Sequence, residues 1–224
     1  MKKANIEKVM QREGFSWRYR QVEEPHKHYD WHFHQEYELV IHRHFHGVAE
    51  VGHYQGDFSG DNMMLIGPHI PHRFYSHPAQ QDGATGDNTL CETHVIWFKK
   101  EWVANMMFSC VEMRKLESLL KRAEKGVQFS PQASIHVLAL LDGVGSNTPM
   151  HQLGVLIQVL SILVADKDTS TLLSFASKQE KASDTTNKEK IEKVCQFMDD
   201  NFQHAITLGD LAKHMNTYSP PVFG

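Results

Sequence analysis

The sequence predicts an α+β protein, with a strand-rich first half followed by a run of helices. Three observations carry this. Short apolar and aromatic segments separated by Gly and Pro turns fill the chain to about residue 98. Helical spacing of apolar residues takes over from about Lys100. A polar, aperiodic stretch from Ser174 to Lys188 (SFASKQEKASDTTNK) then sets off a last helical segment.

The strand candidates come first in the chain. Tyr37–His42 alternates, with Tyr37, Leu39 and Ile41 apolar on one parity and Glu38 and His42 on the other. Further candidates are Gly47–Tyr54, Met63–Ile66, Arg73–Ser76 and Thr93–Phe98. Gly52, Gly56, Gly60-Asp61, Gly67-Pro68 and Pro71 punctuate them, and many short strands with such close turns suggest a sandwich or barrel, a jelly roll being one solution. Pro78–Asn88 reads as a polar surface loop.

The helices follow. Val111, Leu116, Leu119, Leu120 and Ala123 share one helical face. Ser130-Pro131 is a capping serine with proline in the first turn, opening a helix to Asp142-Gly143. Met150–Val164 is apolar around most of its circumference and needs burial on more than one side. A homodimer and the centre of a monomeric bundle both supply that. Beyond the Ser174–Lys188 linker, Ile191, Val194, Phe197, Met198 and Phe202 form another stripe, Thr207–Asp210 fits a capping box, and Ser219-Pro220 opens a further helix. The expected organisation is 1–110 strand-rich, 111–170 helical, 171–187 linker and 188–224 helical.

Composition narrows the function classes. Over 224 residues, 41% hydrophobic and 22% charged residues exclude wholesale disorder and collagen-like architecture. The most apolar stretch, Leu153–Ala165, is 13 residues and contains Gln158 and Ser161, short of the about 20 that a membrane span needs. Met1-Lys2-Lys3 has no apolar run behind it, so no secretory signal is expected. Cys91, Cys110 and Cys195 are odd in number and widely spaced, which predicts a reducing, cytoplasmic setting and core packing rather than nucleophilic roles. A net charge of -4 gives no global attraction to phosphate backbones. No nucleophile elbow, phosphate loop or dinucleotide fingerprint occurs, and no enzyme activity is expected.

Histidine is the outlier: ten of 16 lie between His26 and His72. His32, His34 and Glu38 share strand parity, so one strand would put all three on one face, with His72 arriving from a later strand or turn. Three imidazoles and a carboxylate suit Mn, Fe, Ni, Cu or Zn with open positions for substrate. The same groups would also line a polar pocket for a hydroxyl-rich ligand such as a sugar. His42, His44 and His46, placed near a hairpin end before Gly47, are expected to face solvent.

Four segments carry a resemblance to a known family. His32-Phe33-His34-Gln35-Glu36-Tyr37-Glu38-Leu39 and Gly60–His72 (GDNMMLIGPHIPH) resemble the two characteristic segments of the cupin-like sensor domain of AraC/XylS-type transcriptional regulators. Gly126–Ser130 (GVQFS) resembles the lead-in to the helices that follow that sensor, and Ile191–Phe223 resembles the start of the family's DNA-binding domain. The resemblance implies a cupin-like β jelly roll over 1–110, a helical dimerisation region, and an incomplete helix-turn-helix start. It implies a small-molecule effector in a pocket formed by His32, His34, Tyr37, Glu38, His72 and Trp97, and a homodimer. In the intact protein it places DNA contacts at Ser219, Pro220 and Val222. The recognition helix stops after its first turn at Gly224, and residues 188–224 carry a net charge of -1, so operator binding by this chain alone is not expected. His-x-His-x-x-x-Glu…His also resembles the metal centre of cupin enzymes. A metal-dependent dioxygenase or isomerase using His32, His34, Glu38 and His72 is therefore the alternative. Against it, Gly67-Pro68-His69-Ile70-Pro71 stands where metal cupins carry Pro-x-Gly, and no metal or other cofactor is the first expectation.

Overall fold

In the computed structural model, the described residues are 4–77 and 90–174, with Val194, Phe197, Met198, Asn201, Thr207 and 209–211 beyond them. The expected loop Pro78–Asn88, nearly all of the linker, Cys195, and the helix start at Ser219, Pro220 and Val222 lie outside the described residues. The chain divides into two compact units, Met1–Ser177 and Lys178–Gly224.

Among the described residues, the first unit contains nine strands in one hydrogen-bonded sheet: β1 (Asn5–Ile6), β2 (Trp17–Glu24), β3 (His32–Phe33), β4 (Tyr37–Val51), β5 (Tyr54–Ile66), β6 (His72–Ser76), β7 (Cys91–Phe98), β8 (Val127–Gln128) and β9 (Ser170–Thr171). The organising strand is β4. It pairs antiparallel with β5 along its length, with β7 through Tyr37–Arg43, and with β6 through Gly47–Val51. Having different partners for its two halves requires the strand to bend. The bend is a register shift between His42 and Phe45, with His44 in left-handed backbone at φ 54°. One leaf of the sheet (β2, β7 and the first half of β4) thereby faces the other (the second half of β4, β6, β3 and β1).

This corrects one expectation. No hairpin precedes Gly47; the chain reverses at Gly52-His53, where Gly52 supplies φ 56°. Within the bend His44 and His46 are exposed, but His42, expected in solvent, is fully buried. It continues the even parity of Glu38 and Val40 toward the interior before the register shifts.

Both faces of β4 are buried, against different partners. Tyr37, Leu39 and Ile41 join Met63, Leu65, Ile96 and Phe98 in a core shared with the helices. Val40 joins Met64, Ile66, Phe74, Val95 and Trp97 in a second core between the leaves. The helices are α1 (Lys100–Ser109), α2 (Leu116–Ala123), α3 (Pro131–Leu141) and α4 (Pro149–Ala165). Ser130 caps α3, accepting from Ala133 N at 3.2 Å with Pro131 in the first turn, as the sequence predicts. Thr148-Pro149 repeats the device for α4, and Gly143 at φ 64° follows α3. Val155, Leu156, Val159, Leu160 and Leu163 pin α4 to the core. Its opposite face carries no charge and leaves Met150, Gln158 and Ser161 exposed. Among the described residues no helix is long and apolar enough to cross a membrane.

Two details adjust the expected boundaries. Leu172 and Leu173, placed at the start of the linker, are buried in the second core, and their amides donate to Gly126 O and Lys125 O at 3.0 and 2.9 Å. In the second unit, Thr207 and Asp210 form the predicted capping box: Thr207 N donates to Asp210 Oδ2 at 3.1 Å, and Asp210 N donates to Thr207 Oγ1 at 3.3 Å.

Gly67 lies where the β5–β6 turn meets the end of α2; a Cβ there would stand 2.5 Å from Ala123 O. Gly67→Ala should therefore destabilise the fold by about 1–3 kcal/mol, because backbone rather than a flexible side chain must move. Thermal unfolding measures this, and an unchanged melting temperature would contradict the close packing.

Candidate functional site

Sequence parity anticipates one strand carrying His32, His34 and Glu38. The structure brings them together differently. His32 lies on β3, residues 34–36 leave the sheet, and Glu38 is the second residue of β4. His72, the first residue of β6, is the direct cross-strand partner of His32. The β5–β6 turn is tied to the β3–β4 turn by His69 N donating to His34 O at 2.8 Å. His69 itself is held at φ 62°, an uncommon conformation for a residue with a Cβ. Trp97 is the register partner of Glu38 across β4 and β7. The convergence is thus made by two turns and two strand registers.

Glu38 is the centre of the site. Its Oε2 accepts from Trp97 Nε1 at 2.7 Å and from His34 Nε2 at 2.9 Å, while Oε1 stands 3.5 Å from His72 Nε2. Burial alone would raise the carboxyl pKa; the nearby charge of His72 and the charge and hydrogen bond of His34 outweigh it and hold Glu38 well below the usual carboxylate range. His34 meets acceptors at both ring nitrogens, Glu36 O at 3.1 Å and Glu38, which requires a proton on each. Burial opposes that charge, but Glu38 overrides it and raises the His34 pKa. His32 is held in the same way between Asp30 O at 2.7 Å and Glu7 Oε2 at 3.0 Å, and its pKa is raised, Glu7 outweighing burial.

One feature is common to all three imidazoles. Each Nδ1 faces a backbone carbonyl: Asp30 O for His32, Glu36 O for His34, and Ile70 O for His72 at 2.8 Å. The Nε2 atoms are left for the interior. One ligand atom from each of His32, His34, Glu38 and His72 falls within 4.8 Å of the others, and His72 Nε2 is buried without a hydrogen-bond partner. A His ring that donates through one nitrogen to a carbonyl is oriented to coordinate through the other, so this donor set fits a divalent transition metal.

The cluster forms one end of a cleft between the two leaves, a cavity of about 60 Å³ that opens to solvent. Its wall is apolar at Val22, Val40, Phe74 and Val95, and polar at Glu7, Arg20, Thr93 and His42. Of the expected pocket residues, His32, Glu38 and Trp97 line it, and His34 and His72 stand behind Glu38. Tyr37 does not line it. Adjacent to Glu38 on β4, it points to the opposite face and stacks on Phe98, ring centroids 5.3 Å apart, in the helix-facing core. Of the residues missed, His42 was readable, since it shares the parity of Glu38. Glu7, Arg20 and Thr93 reach the cleft through long-range pairings that no local pattern announces. The expected DNA contacts Ser219, Pro220 and Val222 lie outside the described residues.

No protein-family model matches the chain, and no curated protein matches it. Among solved structures, the AraC-like transcriptional activator CuxR aligns with 81% of this chain and 57% of its own at 10% identity and a TM-score of 0.39. ToxT from Vibrio cholerae aligns with 90% of this chain and 71% of its own at 8% identity and a TM-score of 0.38. The chain thus spans 57% of the length of the first.

The Glu38 network has a pH signature. The depressed Glu38 carboxyl contributes stability that is present above its unfolded value of 4.5 and lost as pH falls through the folded value. The raised His34 imidazole contributes stability that is complete below 6.5 and lost as pH rises through its folded value. With EDTA present, the melting-temperature advantage of the wild type over Glu38→Gln should be largest between pH 4.5 and 6.5 and shrink on either side. An advantage independent of pH would contradict the ion-paired network.

Proposed function

We propose that the chain is the effector-sensing and dimerising part of a cytoplasmic transcriptional regulator of the AraC/XylS type. In this reading the cleft takes a small-molecule effector, hydroxyl-rich such as a sugar, and the segment from residue 188 begins the DNA reader. Ser219, Pro220 and Val222 would reach DNA in the intact protein. The segment resemblances in the sequence support the family. One structural observation supports a sensor: on β4, Glu38, Val40 and His42 line the cleft while Tyr37, Leu39 and Ile41 between them pack against the helices. Anything that shifts β4 from inside is felt by the helical layer. An effector then acts by linkage, favouring one arrangement of the helices and hence one presentation of the DNA readers. The chain is proposed to bind, not to catalyse.

The dimer is proposed to form through the uncharged outer face of α4. Sedimentation should find a dimer at micromolar concentration, and Ser161→Glu, a charge placed at an exposed position of that face, should give a monomer with unchanged circular dichroism. A monomeric wild type, or a variant that still dimerises, would contradict the assignment. Effector binding is read from Trp97, whose indole lines the cleft and donates to Glu38.

A second reading, a cupin metalloenzyme, is favoured by the three oriented imidazoles. His32, His34, Glu38 and His72 would hold the ion, which would supply Lewis-acid polarisation of a bound ligand. The chain's own part is to release the Nε2 protons of His32 and His34, so affinity for the ion should strengthen as pH rises through the imidazole range. Elemental analysis of the purified protein tests it. One equivalent of a transition metal, lost in His34→Ala, supports this reading; a metal-free protein that takes up no Zn, Mn or Ni contradicts it.

A further inference from the structure

At the end of the cleft away from the imidazole cluster, His42 is fully buried. Its ring lies between Phe45 and Phe74, centroids 4.8 and 4.6 Å away. With the amide of its register partner Asn62 set so that the oxygen faces Nδ1 at 3.0 Å, the ring proton belongs on Nδ1, and Asn62 Nδ2 is left without a partner. Nε2 is then a bare lone pair, and it has no partner. A buried acceptor without a donor is rare in a settled core and points to a missing ligand group.

The surroundings state which group fits. Burial, and then the charge of Lys27, push the His42 pKa down to about 3, so the ring stays neutral and offers no charge to an anion. Lys27, itself fully buried, donates to Thr93 Oγ1 on the cleft wall and lies 3.4 Å from Glu24, which disfavours a second cation nearby. A carboxylate or phosphate would set its own lone pairs against Nε2. An apolar group would leave Nε2 unpaired. The remaining match is a neutral donor.

We infer that His42 is a specificity-determining residue of the cleft, accepting a hydrogen bond at Nε2 from a hydroxyl of a neutral hydroxylated ligand. The inference rests on reading the cleft as an effector pocket and deepens it. Glu38 and the imidazoles hold one end of the ligand by charged hydrogen bonds, and His42 measures whether a hydroxyl stands at the other. A ligand lacking that hydroxyl leaves the lone pair buried and unpaired, the situation in which polar sites discriminate most strongly.

The test is long-range 1H–15N correlation of the full chain labelled at histidine, titrated with millimolar glycerol, D-xylose or D-glucose while Trp97 fluorescence is followed. His42 Nε2 should resonate as an unprotonated nitrogen in the free protein and move upfield when a probe binds. His42→Phe, which keeps the ring volume and removes both nitrogens, should weaken the same probe by roughly tenfold or more. Because that variant also strands the Asn62 amide oxygen, the wild-type resonance is the deciding measurement if it fails to fold. A protonated Nε2 in the free protein overturns the inference. So does a probe that changes Trp97 fluorescence and leaves Nε2 unmoved, although the effector reading would then stand. A series in which neither signal responds overturns the inference, and the effector reading then depends on ligands outside this class.

Discussion

A carboxylate buried in a protein interior must be surrounded by donors, and the requirement of Glu38 dictates the architecture around it. Its two hydrogen-bond donors are Trp97 on β7 and His34 in the β3–β4 turn, and His72 at the start of β6 stands 3.5 Å away. Placing these groups fixes the β4–β7 register, folds residues 34–36 out of the sheet, and brings β6 against β3. The remaining polar contacts continue that logic. Each imidazole is braced by a backbone carbonyl, and the β5–β6 turn is tied to His34 by His69. The chain accepts an uncommon backbone angle at His69 to make that tie.

The second constraint is the division of β4 into two faces. A two-residue period places neighbours on opposite sides of a sheet, so the strand that builds the cleft also forms the floor of the helical layer. Glu38 and His42 face the cleft; Leu39 and Ile41 face α2, α3 and α4 across a close-packed core. Such cores transmit displacement because they have little free volume to absorb it. The bend at His44 concentrates the strand's departure from regularity at one point, beyond the last cleft residue, and leaves Tyr37–His42 straight between its two layers.

Much of this was legible in the sequence, for identifiable reasons. Ser130-Pro131, Asp142-Gly143 and Thr207–Asp210 announced helix ends because capping is local chemistry. The grouping of His32, His34, Glu38 and His72 was also readable, but its explanation was not. Shared strand parity suggested one continuous strand, whereas a turn at 34–36 and cross-strand pairing with β6 make the site. Tyr37 was expected in the pocket from the family resemblance, and the same alternation that buries Glu38 sends Tyr37 to the other core. His42 was assigned to solvent because Gly47 looked like a hairpin end; the bulge that lets β4 run on to Val51 has no strong local signal. Glu7, Arg20 and Thr93 depend on β1–β3 and β2–β7 pairing over distances that no sequence window covers.

Coupling of the cleft to the helical layer through β4 is measured by hydrogen exchange of the full chain, with and without a ligand that alters Trp97 fluorescence. Ligand binding should alter amide protection in Pro131–Leu141 and Pro149–Ala165, helices that contribute no residue to the cleft, together with the change in β4 and β7. Protection changes confined to the strands that line the cleft, with both helices unaffected, would contradict it.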